Sequence, residues 1–354
     1  MQKQNNTNPM ETGSIPKLLA QLAIPAVVAQ VINLLYNIVD RIYIGHIPGI
    51  GAAALTGVGL FAPILMLLNA FAMLVGSGGA PRAAIAMGKK DHDTAEKIVG
   101  NCFTLLTGLA VILTIIFYIS APTLLKLFGA SSAMTTVIGA VINIILDPVF
   151  IFVLGMGVRG AALATVLSQA VGAIWILRFL TGKKTILRLT KENMRLEVRV
   201  FGPCLALGIS TFVMLSTESL LSISFTNSLS RYGGDVAVGA MTIITSINQL
   251  VAMPVQGICQ GGQPIISYNY GADKPERVKK AFFTQFCACV AYTFTFWAVI
   301  MLFPQIFASI FTANKELVEY SSWALRIYMA GIFSTGFQIS CQQSFMALGQ
   351  AKVS

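Results

Sequence analysis

The sequence predicts an all-α integral membrane protein built from two helix bundles, and three observations lead to this fold class. Of the 354 residues, 55% are hydrophobic and only 11% are charged, whereas soluble domains carry about 25% charged residues. Apolar segments of about 20 residues recur from Lys17 onward, and each could cross a hydrocarbon core of about 30 Å as a helix. A sequence motif that occurs twice, at 76–88 and at 259–271, divides these segments into two groups.

Nine membrane spans are predicted from the apolar segments. The three most basic connectors are expected in the cytoplasm, because cytoplasmic loops carry an excess of Lys and Arg; they are residues 88–97, 178–199 and 271–280. Since the net charge of +10 is concentrated in short loops, we expect membrane lipid, and no nucleic acid, as a partner. The approximate limits of the spans are 17–44, 52–79, 96–128, 133–155, 160–181, 201–229, 236–262, 281–311 and 318–347.

Four regions follow from this pattern. Residues 1–13 are polar and lack the apolar core of a signal peptide, so a disordered cytoplasmic tail is expected. Residues 14–181 form an N-terminal helix bundle, residues 182–199 a basic cytoplasmic linker, and residues 200–354 a C-terminal helix bundle.

The repeated motif relates the two bundles. GSGGAPRAAIAMG (76–88) and CQGGQPIISYNYG (259–271) share Gly-Gly-x-Pro and a Gly seven residues later. Both stand at the end of a long span before a basic loop, so the copies are expected to have parallel topology about an axis along the membrane normal. The complete pattern is two six-helix repeats. This chain is expected to lack one helix after Ser132, and its second repeat to end at Ser354 without its last two helices.

A polar stripe runs along the first span. Its positions advance by three or one residues, so they share one side of a helix; they are Gln30, Asn33, Tyr36, Asn37, Asp40 and Tyr43. Because a carboxylate at membrane depth is costly, the stripe is expected to face a cavity rather than lipid.

A second acidic position lies in the span IGAVINIILDPVFIF. Asn143 and Asp147 are one turn apart, and Thr165 belongs to a polar face of the next span. Two carboxylates at this depth require a bound proton or a cation, and these oxygen ligands suit Na⁺. The alternative is a hydrogen-bonded cluster that only packs the helices together.

The second bundle carries uncharged polar positions and one acid. They are expected to line a cavity whose hydroxyl, amide and thioether groups suit varied substrates; the alternative is packing against neighbouring helices. These positions are Glu218, Gln249, Met253, Gln256, Gln338 and Gln342.

Enzymatic and cofactor-binding functions receive no support from the sequence. The six cysteines lie in apolar segments without the spacing of a metal site, and the only histidines are His46 and His92. No nucleophile is paired with a base. The pairs Gly78-Gly79 and Gly261-Gly262 follow no strand, so close helix contacts or a helix break at the cytoplasmic rim are expected there rather than phosphate binding.

Three stretches resemble the multidrug and toxic compound extrusion (MATE) transporters: NIVDRIYIGHIPGIGAAAL, GAVINIILDPVFIFVLGMGVRGAALATVLSQ and PVQGICQGGQPIISYNYGADKPERVKKAF. The resemblance implies two six-helix bundles around a V-shaped cavity and export of drugs and organic cations by alternating access. It implies a cation-coupling site at Asp40, Asn143, Asp147 and Thr165, for H⁺ or Na⁺, with no cofactor. A monomer in the bacterial cytoplasmic membrane is expected.

The chain is expected to depart from the family pattern in lacking the fourth, eleventh and twelfth helices. With one helix missing, either the seven basic residues of the 178–199 loop would be forced outward or one span would fail to insert. We expect all spans to stay buried, misorientation or a gap in the first bundle, and defective transport. Two alternatives remain: a lipid-linked saccharide flippase of the same broader fold, for which a more cationic cavity is expected, and a non-functional fragment.

Overall fold

The computed structural model describes residues 9–45, 51–127, 187–311 and 315–350, with a few residues between 174 and 182. Of residues 33, 35–45, 51–65 and 117–127, and of five residues between 226 and 238, only the helical backbone is described. The predicted span 133–155 and most of the predicted span 160–181 lie outside the described residues.

The described ranges contain helices and no strand. Six of their segments are long and apolar enough to cross a membrane: Ile15–Ile32, Met66–Gly88, His92–Ile116, Val198–Phe225, Gly239–Gly271 and Pro275–Leu302. They coincide with six of the nine predicted spans, and the count of nine stays a prediction. The helices are α1 (Pro9–Thr12), α2 (Ile15–Gly45), α3 (Gly51–Gly88), α4 (His92–Leu127), α5 (Val198–Gly271), α6 (Pro275–Leu302), α7 (Pro304–Phe311), α8 (Lys315–Tyr328) and α9 (Thr335–Ala347), with a 3₁₀ helix at Met329–Ser334 between the last two.

Helix α5 consists of two arms that meet at Gly234. A straight helix of its 74 residues would be about 110 Å long, several times the thickness of a membrane. Gly234 has φ 63° and ψ −165°, a conformation that is essentially restricted to glycine. Residues 198–233 are called the first arm below, and residues 235–271 the second arm.

Two predicted spans are wrong as continuous helices. The predicted span 281–311 is divided because α6 ends at Leu302 and Pro304 begins α7; a proline disfavours helical geometry in the residue before it and supplies no N–H. The predicted span 318–347 is divided by the 3₁₀ helix. Two donors of α6, one turn apart, bond carbonyls there: Trp297 Nε1 to Ala330 O at 3.1 Å and Thr293 Oγ1 to Phe333 O at 3.2 Å. Backbone polar groups at membrane depth require such partners.

The expected disordered tail is also wrong for residues 9–13. Residues 9–12 form α1, and Arg277 donates to Met10 O at 3.0 Å and to Gly13 O at 2.8 Å. The polar sequence therefore reflects docking onto basic side chains of the second repeat.

The internal repeat is reproduced in the backbone. Its offset is the separation in sequence between the last glycines of the two motif copies, Gly88 and Gly271, and is called the repeat offset below. Lys90 after α3 and Asp273 after α5 are separated by this offset, and both have positive φ, 62° and 55°. The hydrogen bonds that end the two helices are related by the same offset. They join Asp91 N to Ala86 O and Lys274 N to Asn269 O, both at 3.0 Å. Each is the six-to-one bond of a Schellman motif, with a left-handed residue where glycine is usual.

The ends of α3 and α5 cross in a reciprocal contact. A Cβ atom on Gly88 would overlap the carbonyl oxygen of Tyr268, and one on Gly271 would overlap that of Ile85. The two glycines are separated by the repeat offset, and so are the two carbonyl groups, as expected for a pseudo-two-fold axis. Since two helix C-termini meet here, the two repeats run in the same direction, as the sequence predicts.

The paired glycines of the repeated motif allow close helix contacts, as predicted. A Cβ atom on Gly79 would meet Cys102 Sγ, and one on Gly262 would meet Gln285 Oε1; these partners, on α4 and α6, again differ by the repeat offset. The first glycine of each pair faces the other repeat instead. Gly78 lies against the backbone of Cys204, and Gly261 against that of Ala23 on α2. In each pair, therefore, one glycine packs its own repeat and the other joins the two repeats.

The three basic segments lie at one end of the molecule, called the basic end below (residues 88–97, 187–199 and 271–280). The linker runs along α4: Glu96 Oε1 accepts from Arg188 N at 3.0 Å, and Glu96 Oε2 accepts from Asn193 Nδ2 at 3.2 Å. Asp91 caps the start of α4 by accepting from Thr94 N at 3.0 Å, and the hydrogen bonds from Thr94 hold the Asp91 pKa below its usual value. The linker thus stands beside the first basic loop, and the expected outward displacement is not seen in its described residues.

Replacing Gly271 with Ala is expected to destabilise the protein by about 1–3 kcal/mol, because the added methyl group meets backbone atoms that cannot rotate away. Gly108→Ala is the matched control, since Gly108 lies inside α4 with no atom near the added Cβ, and alanine favours the helix by about 1 kcal/mol. Thermal unfolding in detergent measures both. Equal melting temperatures for the two variants would contradict the reciprocal crossing.

Candidate functional site

The predicted cation-coupling residues are only partly within the described structure. The continuous helix α2, Ile15–Gly45, carries the whole polar stripe, so the predicted helical spacing of Asn33, Tyr36, Asn37 and Asp40 is confirmed. Their side chains lie outside the described residues, as do all of Asn143, Asp147 and Thr165. The convergence of these residues on one pocket stays a prediction.

The stripe begins at the contact between the two repeats. The start of α2 packs against the second arm of α5, with Ala23 opposite Gly261 and Val27 opposite Gly257. One turn further, Gln30 Nε2 donates to Gln260 Oε1 at 3.3 Å. The first described residue of the stripe is therefore bonded across the boundary between the repeats.

Gln260 was missed by the sequence analysis, although a signal for it existed. It follows Gln249, Met253 and Gln256 at spacings of four, three and four residues, the continuation of one helix face. Gln249, Gln256 and Gln260 are exposed, and Met253 is half-buried. The exposure of these amides favours a polar surface over a packed stripe at these positions.

A second polar cluster joins the first arm of α5 to α9. Gln342 Nε2 contacts Met214 Sδ at 3.4 Å, and Gln338 and Glu218 each lie one turn away from this pair. The two helices are antiparallel here, because Thr211, one turn before Met214, contacts Met346 Sδ, one turn after Gln342, at 3.3 Å. Moving one turn outward on both helices, by about 6 Å, therefore brings Gln338 and Glu218 to the same level, and both are exposed.

The structure thus groups the second-bundle residues into two clusters. One lies on the second arm with Gln30, and the other contains Met214, Glu218, Gln338 and Gln342. Each offers amide and thioether groups, and the second adds a single carboxyl group. Such groups can accept hydrogen bonds and attract a cation without fixing one geometry, and the cavity that they are expected to line stays a prediction.

An apolar groove of about 650 Å³ lies between α3 and α4, apart from both clusters. Among its described lining residues the one polar side chain, Thr114, bonds the carbonyl of Ala110 at 2.7 Å on its own helix. The described part of the lining therefore offers no group that could orient a polar or charged ligand. Among the described residues, no group of three or more His, Cys, Asp or Glu side chains could hold a metal ion.

Solved structures of known transporters share this fold. The outward-facing conformation of a multidrug resistance MATE family transporter of the MOP superfamily has a TM-score of 0.88 and 24% identity, covering 99% of this chain and 87% of that chain. The MATE multidrug transporter DinF-BH, solved as a ligand complex, has a TM-score of 0.85 and 31% identity, with the same coverage of 99% and 87%.

Sequence comparisons give the same relationship. The multidrug export protein MepA of Staphylococcus aureus (strain NCTC 8325 / PS 47) is 22% identical over 393 residues, covering 97% of this chain and 84% of that protein. The profile of the MatE family matches residues 25–160 and 210–354. The chain is a multi-pass membrane protein that belongs to the MatE family, a family of transporters and not of enzymes.

Proposed function

We propose that this protein exports drugs and organic cations across the bacterial cytoplasmic membrane by alternating access, coupled to the entry of H⁺ or Na⁺. The proposal rests mainly on the polar stripe of α2. This stripe begins at the bonded pair Gln30 and Gln260 between the repeats and continues toward Asp40, about 15 Å further along the helix. An acid at this position would lie on the surface that two moving repeats share.

The stripe gives a physical route to exchange. An ionised carboxylate in a low-dielectric cavity attracts an organic cation, and binding of H⁺ or Na⁺ removes that attraction. Asn143, Asp147 and Thr165 are proposed to complete the coupling site with oxygen ligands, a set suited to Na⁺ as well as to a shared proton.

The relatives support the substrate class. MepA is named a multidrug export protein, and DinF-BH is named a multidrug transporter. In the described clusters, the side chains proposed to meet substrate carry amide, thioether and carboxyl groups and no amine or guanidinium. This composition favours cationic substrates over the anionic headgroup of a lipid-linked saccharide.

We further propose that the chain lacks a helix between α4 and the linker. The alignment with MepA is 393 residues long, more than the 354 residues of this chain, so MepA contributes residues without a counterpart here. The packed repeat interface and the docked linker support a chain that folds. Dye efflux by the wild-type protein distinguishes an active transporter from a non-functional fragment.

Asp40→Asn is expected to reduce dye efflux to that of cells without the protein, because the amide neither binds a proton nor neutralises a cation. Expression and melting temperature should stay unchanged. The control is Asp93→Asn, which changes an exposed carboxylate in the first turn of α4 and should leave efflux intact. Wild-type efflux by Asp40→Asn would remove Asp40 from the coupling site.

Purified protein in liposomes is expected to drive dye movement when an inward gradient of either H⁺ or Na⁺ is imposed, and the effective ion identifies the coupling ion. Liposomes that carry Asp40→Asn are the control for leakage. Dye movement that is equal with both gradients and with none would contradict cation coupling.

The linker is expected to face the cytoplasm, because it docks beside the first basic loop. Arg195→Cys, at an exposed position in a chain without other cysteines, should resist a membrane-impermeant thiol reagent in whole cells and react in inverted vesicles. Lys279→Cys, exposed at the start of α6, should behave identically. Labelling of the Arg195→Cys variant in whole cells would instead support the misoriented topology.

A further inference from the structure

Each repeat is preceded by a short segment that binds the opposite repeat. Residues 9–14, the N-terminal strap, precede α2, and residues 192–197, the linker strap, precede the first arm of α5. The carbonyl groups of Met10 and Asn193 are equivalent positions, because they are separated by the repeat offset. Met10 O accepts from Asn269 Nδ2 at 3.1 Å, and Asn193 O accepts from Asn101 Nδ2 at 3.2 Å.

The two donors are among the most buried polar side chains described. Asn269 is 0% exposed and Asn101 is 1% exposed, and a buried amide is costly unless its groups are bonded. The Oδ1 atom of Asn101 also depends on the linker strap, because it accepts from Glu197 N at 2.7 Å. The Oδ1 atom of Asn269 accepts from Arg277 Nε at 2.9 Å, which orients Arg277 toward the N-terminal strap.

Additional contacts hold each strap close to its asparagine. Arg277 donates to Met10 O and Gly13 O, and Lys274 Nζ bonds Glu11 Oε1 at 2.8 Å. The Lys274 ammonium holds the Glu11 pKa below its usual value, although a partly exposed ion pair adds little stability. In the linker strap, Met194 O accepts from Thr104 Oγ1 at 2.8 Å.

The straps cross the boundary between the repeats in opposite directions. The N-terminal strap continues into α2 of the first repeat but is held by Asn269 and Arg277 of the second. The linker strap continues into α5 of the second repeat but is held by Asn101 of the first. Separating the repeats at the basic end must therefore remove both straps from their asparagines, or else stretch the chain before each helix.

We propose that Asn101 and Asn269 are a matched pair of latches that keep the basic end closed, and that this end opens only after both straps leave them. The proposal rests on the proposed alternating-access function. It assigns to these two asparagines a role in positioning the repeats, with no contact to substrate.

The test uses Cys204 as a reporter of opening. Cys204 of the second repeat is 0% exposed and is buried among Ala83, Ala86, Ala95 and Ile98 of the first repeat. With Cys204 as the sole cysteine, its reaction with N-ethylmaleimide in membranes measures how often the repeats separate. Asn101→Leu and Asn269→Leu should each raise the reaction rate about tenfold, the factor expected when a strap loses one or two net hydrogen bonds.

Two controls separate opening from general loosening. Lys279→Ala removes an exposed ion pair with Glu276 near the N-terminal strap without a contact to it, and it should leave the Cys204 rate unchanged. A parallel set of variants carries Cys289 as the sole cysteine; Cys289 is 0% exposed and packs within the second repeat. Its reaction should stay slow in both asparagine variants. Unchanged Cys204 rates, or an equal rise for Cys289, would overturn the latch.

A second experiment fixes the N-terminal strap in place. Glu11→Cys with Lys274→Cys, bridged by a short bifunctional thiol reagent, should lower the Cys204 rate below that of the unbridged protein and stop efflux. If bridging lowers the Cys204 reaction rate but no variant, bridged or unbridged, shows efflux, the result supports the latch and contradicts the proposed export function. Efflux that continues in fully bridged protein would show that this strap need not leave, and would overturn the proposal.

Discussion

The close crossing of α3 and α5 at the basic end is the contact on which the described structure depends. Gly88 and Gly271 each lie where a side chain would overlap a carbonyl oxygen of the other helix. Because the contact is reciprocal, one small residue in each repeat lets both backbones touch. In a membrane, where lipid is as apolar as most side chains, such backbone approach is a main source of helix association.

This crossing explains the arrangement of the neighbouring elements. The left-handed residues Lys90 and Asp273 each lie two residues after a crossing glycine, at the ends of the two helices. The crossing brings the start of α2 against the second arm of α5, where Ile15, Leu18 and Leu19 are buried with Ile265 and Ile266. The polar stripe of α2 therefore begins at the boundary between the repeats, where Gln30 bonds Gln260.

The sequence predicted the fold class, the repeat and its offset, because periodic apolar segments and paired glycines record local geometry directly. Six of its nine spans coincide with described helices, but it missed the breaks at Phe303 and at Met329–Ser334. Hydropathy is insensitive to such an interruption, and at Met329–Ser334 two carbonyls are bonded by Trp297 and Thr293 of α6. Docking of residues 9–13 was missed for a related reason: polar segments resemble disordered ones until their partners, here Arg277 and Asn269, are known. Gln260 could have been found from its spacing to Gln256. For Asp40, Asn143, Asp147 and Thr165, the sequence remains the source of the coupling hypothesis.

The most direct test of this account asks whether the two repeat ends touch in the membrane. Ala272 N lies 2.9 Å from the position of a Cβ on Gly88, so Lys89→Cys and Ala272→Cys, combined in a chain without other cysteines, should be joined by the shortest bifunctional thiol reagents. The account predicts efficient joining in native membranes. Failure to join while both cysteines react singly would contradict the reciprocal crossing.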